Sequence, residues 1–121
     1  MSKFVEIQTS QTDVMLINLE SIWYFEDRQV SVLNASVVYQ GITMLILDSF
    51  EDIQRSLNTF LRLDIYNSNR VLVNPNTVQS VYRSPSVDAC YIRFNELSEN
   101  KLRLQQTYEE VRKELNVANA T

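Results

Sequence analysis

The stretch Met15-Leu16-Ile17-Asn18-Leu19-Glu20-Ser21-Ile22 returns as Val71-Leu72-Val73-Asn74-Pro75-Asn76-Thr77-Val78, with its apolar, Asn and hydroxyl positions kept at an offset of 56 residues. A fixed offset marks a structural unit before any local reading is made. Phe4-Val5-Glu6-Ile7 and Phe60-Leu61-Arg62-Leu63 keep the same offset. Further on, Ser49-Phe50-Glu51-Asp52-Ile53-Gln54-Arg55-Ser56-Leu57-Asn58 returns as Thr107-Tyr108-Glu109-Glu110-Val111-Arg112-Lys113-Glu114-Leu115-Asn116 at an offset of 58. The second copy thus carries two extra residues, which the turn signals put in Ser84-Pro85-Ser86 or in the Asn95–Asn100 loop.

Each copy ends in a helix signature. Ser49 and Thr107 are hydroxyl N-caps followed three residues later by an acid, Asp52 and Glu110, so one side chain accepts an orphan amide while the other reaches back. Phe50, Ile53 and Leu57, and likewise Tyr108, Val111 and Leu115, then line one helical face. These patterns predict helices over about 49–59 and 106–116, with 117–121 a frayed tail.

The remaining sequence alternates as strands do. The first copy offers Phe4–Thr9, Val14–Ile17, Ser21–Glu26, Gln29–Tyr39 and Thr43–Leu47. The second offers Leu61–Tyr66, Val71–Val73, Thr77–Arg83, Val87–Phe94 and Lys101–Leu104. Val14–Ile17 and Ser21–Glu26 are read either as two strands or as one bent at Asn18, with Asn74 in the matching place. The expected fold is α+β: a single domain over 1–121, made of a duplicated β4-α unit (repeat 1, 3–58; repeat 2, 59–116). It has two antiparallel sheets, each with a C-terminal helix, fused about a pseudo-twofold axis.

The residue types that are missing exclude much chemistry. The 121-residue chain has no His, one Cys and one Gly. No Ser-His-Asp or Cys-His arrangement, imidazole metal site, internal disulfide, thiolate zinc site or phosphate-cradling P-loop can be assembled from it. Glu51-Asp52 and Glu109-Glu110 fall in first helical turns, where acids meet the dipole favourably. Glu26-Asp27 reads as a solvated turn or as half of an acid/base or metal site without a third ligand in view. The expectation is a non-enzyme with no catalytic residue, no metal and no cofactor. The N-terminus shows no signal-type apolar segment and no run approaches the ~20 apolar residues of a membrane span. That reads as a cytoplasmic protein without a membrane partner, with Cys90 a buried apolar group.

Charge is divided unevenly. The formal net charge is −4, but residues 1–58 carry three basic against eight acidic side chains and residues 59–121 eight against seven. A polyanion partner would therefore lie on the second copy. There Cys90, Ile92 and Phe94 alternate with Tyr91 and Arg93, while Leu102 and Leu104 alternate with Lys101 and Arg103. Paired as a hairpin, these strands would expose Tyr91, Arg93, Lys101 and Arg103 on one face. Tyr82 and Arg83 would end the next strand, with Arg62 and Arg70 as lesser contributors. Rings that stack on bases beside scattered cations suit single strands, although the same residues also serve as a solvated, edge-protecting face. In the first copy Trp23, Tyr24 and Tyr39 are candidates for a protein interface.

The duplicated strands-plus-helix order resembles the Whirly and PUR-repeat families, which bind single-stranded nucleic acid on sheet surfaces. Asn18-Leu19-Glu20-Ser21-Ile22 with Ser49-Phe50-Glu51-Asp52-Ile53 is similar to the small FlbD-like regulators, which implies work through protein contacts. The functional expectation is an oligomeric accessory factor of transcription or replication that binds single-stranded nucleic acid, DNA before RNA, possible protein partners including a polymerase. The alternative is an adaptor that docks a protein through the aromatics of the first copy.

Overall fold

In a computed structural model the described residues are 3–30, 33–84, 89–95 and 101–115. The chain forms β1 (Phe4–Gln8), β2 (Val14–Asn18), β3 (Ile22–Val30), β4 (Leu33–Tyr39), β5 (Ile42–Ile46) and α1 (Phe50–Ser56). It continues with β6 (Leu61–Asp64), β7 (Arg70–Val73), β8 (Ser80–Ser84), β9 (Ala89–Arg93), β10 (Lys101–Leu104) and α2 (Tyr108–Glu114). Asn18 and Asn74 do not bend a strand. Each caps a short 3-10 turn, Leu19–Ser21 or Pro75–Thr77, accepting at its side-chain oxygen from the amide two residues on. The Pro85-Ser86 turn, the start of the expected Val87–Phe94 strand, most of the Asn95–Asn100 loop and the 117–121 tail lie outside the described residues.

The expectation of two sheets, each closed by its own helix in an α+β domain, is corrected. Among the described residues strands make up 52%, both helices are short, and the ten strands form three sheets. A central five-stranded antiparallel sheet runs β5-β4-β3-β7-β6, so strands from both halves share it. The two-stranded β1–β2 sheet and the three-stranded β10-β9-β8 sheet are the others. The seam is β3 against β7, with Tyr24, Phe25 and Glu26 opposite Val73, Leu72 and Val71. Val71, Leu72 and Val73 are all fully buried. A strand that is apolar on both faces belongs at the middle of a covered sheet, not in a sheet with one wet side. Seven-residue helices are also too short to cover a sheet by themselves.

Alternation along the seam feeds two cores. Phe25 and Leu72 join Ile7, Ile17, Val37, Ile46, Phe50 and Ile53 on one face. Val71, Val73 and Leu63 join Cys90, Ile92, Leu102, Leu104 and Val111 on the other. The β1–β2 sheet and α1 therefore cover one side of the central sheet, and β8–β10 with α2 cover the other. A register shift between Ile22 and Tyr24 lets both Trp23 and Tyr24 pack on the second core. Gln40 (φ 48°) and Gly41 (φ 84°) make the β4–β5 turn, where two successive left-handed residues match the strand twist. The chain's one Gly is used where positive φ is required.

Polar contacts fix how the halves meet. Asn74 is buried. Its side-chain NH2 donates to the Leu19 and Ile22 carbonyls at 2.9 and 3.0 Å, and its backbone N–H donates to the Trp23 carbonyl at 2.9 Å. At the other end of the seam Arg70 forks onto Asp27 (2.9 and 2.6 Å), reaches Glu51 at 2.5 Å and lies over the Phe50 ring, while Asn69 donates to Glu26 at 2.7 Å. The third sheet is tied on by an Ile65–Leu104 bridge and by two amides at 2.9 Å, Tyr66 to the Arg103 carbonyl and Gln105 to the Asp64 carbonyl. Among the described residues no helix is long and apolar enough to cross a membrane.

Two outcomes follow from these contacts. Asn74→Ala strands two inward-facing carbonyls, and at ~1–3 kcal/mol for each such group it lowers urea stability by about 2–6 kcal/mol; Asn18→Ala, whose bond to Glu20 N–H is exposed, costs under about 1 kcal/mol. The carboxyls of Glu51 and Glu110 sit below the ordinary value of 4.5, the first through the Arg70 hydrogen bond and the second through the Thr107 amide and hydroxyl. Folded values that are depressed stabilise above the ordinary carboxyl range and lose that contribution as pH falls through them. Thermal melts should therefore fall off below about pH 4.5, and the Glu51→Gln/Glu110→Gln double variant should show a shallower acid decline.

Candidate nucleic-acid interface

The outer face of the β8–β10 sheet follows from its register. Lys101 lies opposite Arg93 and Arg103 opposite Tyr91; Tyr91 in turn lies opposite Tyr82 and Arg93 opposite Ser80. Cys90, Ile92, Leu102 and Leu104 are buried on the inner face, so Tyr82, Tyr91, Arg93, Lys101 and Arg103 share the outer one. The hairpin expected from the sequence is present, and it brings Tyr91, Arg93, Lys101 and Arg103 together.

The rings on this face are already occupied. Tyr82 and Tyr91 stack at 5.1 Å; Arg93 lies 5.4 Å from the Tyr82 centroid and Lys101 4.7 Å from that of Tyr91. Arg103 lies 5.4 Å from the Tyr66 ring, which is brought in by the long-range Ile65–Leu104 bridge. The Nε of Arg93 is buried with no hydrogen-bond partner among the described residues. None of Arg93, Lys101 and Arg103 has an acidic partner within ion-pair distance among the described residues.

The other arginine candidates are placed elsewhere and are neutralised. Arg83 aligns with Cys90, not Tyr91, so it leaves the outer face at the sheet edge, where it lies over Tyr108 and pairs with Glu109 at 3.5 Å. Arg62 pairs with Asp64 at 3.0 Å on β6. Arg70 is the seam residue held by Asp27 and Glu51. Glu26 and Asp27 lie within β3, where the sequence suggested a solvated turn, and act as seam partners of Asn69 and Arg70.

The first-copy aromatics do not form one patch. Trp23 stacks on Phe94 at 5.4 Å and 5°, and Tyr24 stacks on the same ring at 5.5 Å. Burial, and secondarily Glu26, pushes the Tyr24 phenol up to about 12. Tyr39 packs against the first core, on the other side of the central sheet. Burial, with Glu109 second, also raises the Cys90 thiol, which suits an inert core position.

The architecture is a mostly-β domain of three sheets in layers, carrying a cationic and aromatic outer face. Among solved structures it is similar to the LytTr DNA-binding domain of a putative methyl-accepting/DNA response regulator from Bacillus cereus. The TM-score is 0.63 at 15% sequence identity, over 94% of this chain and 97% of that one. The likeness is one of fold, and it replaces the Whirly and PUR-repeat comparison. No protein-family model matches the chain, and no curated protein matches it in sequence.

The division of arginines is directly testable. Arg70→Met should lower thermal stability by a few degrees, since it releases Asp27 and Glu51 at once, whereas Arg103→Ala, on an exposed residue with no ion pair among the described residues, should leave the melting temperature unchanged. Differential scanning calorimetry of the two variants checks the contrast.

Proposed function

We propose that this protein binds DNA through the outer face of β8–β9–β10, with Arg93, Lys101 and Arg103 on backbone phosphates. The observation that carries the reading is that these three cations converge on one face with no ion pair among the described residues, while Arg55, Arg62, Arg70 and Arg83 are each neutralised by an acid. The fold likeness supports it, because the neighbouring structure is described as a DNA-binding domain of a response regulator. A role in transcription is the corresponding proposal for this chain.

The strand form of the DNA depends on the occupied rings. Lys101 and Arg93 can reach phosphates while they remain over Tyr91 and Tyr82. A base can reach those rings only by displacing a cation, which sets a loss of ~0.5–1 kcal/mol against a stacking gain of ~1–3 kcal/mol. The stacking advantage expected for single strands is thereby reduced to about 0–2.5 kcal/mol per base without changing sign, and a comparison of duplex and single-strand binding decides between the two forms. The adaptor alternative loses its support at Trp23 and Tyr24, whose rings are used on Phe94.

Fluorescence-polarisation titrations with duplex and single-stranded oligonucleotides of equal length test the proposal. Three phosphate contacts predict a slope of log K against log salt of about −2.7 for duplex, and Lys101→Ala or Arg103→Ala should each flatten it by about 0.9. Arg55→Ala should leave it alone. No binding at about 50 mM salt, or a slope that the Lys101→Ala/Arg103→Ala pair does not change, overturns the reading. Tighter binding of the single strand would show that the rings stack on bases, and tighter binding of the duplex that they do not.

A further inference from the structure

The β1–β2 hairpin has an outer face that the fold leaves uncovered. Phe4 is 58% exposed, Val14 63% and Leu16 63%, while Ile7 and Ile17 on the inner face are buried. Glu6 is the one charged side chain among the ten residues of the two strands, and β2 itself, Val14-Met15-Leu16-Ile17-Asn18, has no charge and no proline. By contrast, the edge strands β6 and β8 carry Arg62 and Asp64, and Arg83. Charged or proline residues are what keep an edge strand from pairing with another chain.

The hydrogen-bond phase of the hairpin shows which groups this edge presents. The Leu19 N–H donates to the Lys3 carbonyl at 2.9 Å and the Thr9 N–H to the Asp13 carbonyl at 3.0 Å, at the two ends of the ladder. Bonded and non-bonded pairs alternate in an antiparallel ladder, so Met15 and Ile17 point their backbone groups at β1. Val14, Leu16 and Asn18 point theirs away from it. Among the described residues no other strand pairs with that side of β2.

We infer that this edge pairs with β2 of a second copy. An antiparallel twofold centred on Leu16 places Leu16 opposite Leu16 as a hydrogen-bonded pair and Val14 opposite Asn18, whose N–H can donate to the Val14 carbonyl while its own carbonyl serves the Leu19–Ser21 turn, and joins two hairpins into one four-stranded sheet. The exposed side chains then form a continuous surface with Leu16 beside Leu16 and Val14 flanking on both sides. The two Glu6 carboxylates fall on the outer strands, about three strand spacings or ~14 Å apart, beyond a Debye length at physiological salt. One five-residue strand and three apolar side chains per copy fall well short of the ~1,200 Å² that stable specific interfaces bury. The dimer is accordingly weak and concentration-dependent.

Sedimentation of the full chain without DNA tests this independently of the DNA-binding proposal. The weight-average mass should rise from monomer toward dimer between about 10 µM and about 1 mM, the range in which such small contacts associate. Leu16→Lys, at an exposed site, should weaken association at least about tenfold while leaving the melting temperature unchanged; Ile42→Lys, on the exposed start of the other uncharged edge strand β5, should not. Amide exchange at Leu16 and Asn18 should slow as concentration rises. A monomer throughout, or association that Leu16→Lys leaves intact or Ile42→Lys abolishes, overturns the inference.

Discussion

The antiparallel seam of β3 and β7 is the contact on which the rest of the structure depends. It is made by only a short run of residues, yet it turns two halves of a chain into one sheet with a core on each face. Leu72 faces one core and Val71 and Val73 the other, so a one-residue slip would exchange the two sets and empty both cores. Polar groups hold the register at its ends: Asn74 beside the 3-10 turns, and Arg70 with Asp27 and Glu51 at the far end. The ion pairs are half-exposed and worth ~0–1 kcal/mol each. The burial of the cores supplies the stability and the polar contacts select the pairing.

The two halves share an element order but differ in what their outer sheets show to solvent. The outer face of β1–β2 exposes Phe4, Val14 and Leu16 beside a single charge, Glu6; the outer face of β8–β10 is cationic and aromatic. Both are mounted on the same central sheet, on its opposite sides. Chemistry is therefore segregated by layer, and the inward residues of each layer can be spent entirely on packing.

Much of this was legible in the sequence and some was not. Both helices begin at their hydroxyl caps, and the Thr107–Glu110 capping box is complete. Most strands fall near where alternation puts them, because local pattern reports which side chains face inward; the exceptions are β3, which runs through the expected turn at Asp27-Arg28 to Val30, β4, which begins at Leu33, and β8, which begins at Ser80 after the 3-10 turn. What local pattern does not report is which sheet a strand joins. The burial of Val71-Leu72-Val73 on both sides was visible as three adjacent apolar residues, but the offset repeat encouraged a reading in which each half closes on itself. The cationic face was legible for the same reason that the strands were, since Tyr91, Arg93, Lys101 and Arg103 alternate with core residues within one hairpin. Arg83 was misplaced because its parity is set by pairing with Cys90, and Tyr66 was missed because only the Ile65–Leu104 bridge brings it to Arg103. Arg62 and Arg70 owe their neutralisation to Asp64 and to residues of other elements, and for Arg70 the partners are distant in sequence.

The seam also sets the order of events when the chain folds. β3 precedes β7 by the whole of β4, β5, α1 and β6, so during synthesis Tyr24, Phe25 and Glu26 are made well before the residues that will pair with them. Until then the first half has a bare strand edge and the uncovered side chain of Phe25's core face lacks Leu72. Closing such a long loop is entropically slow, and an intermediate with an open edge is the species most exposed to misassembly. The arrangement that joins the two halves in one sheet thus leaves the nascent first half with a strand edge open until β7 is made.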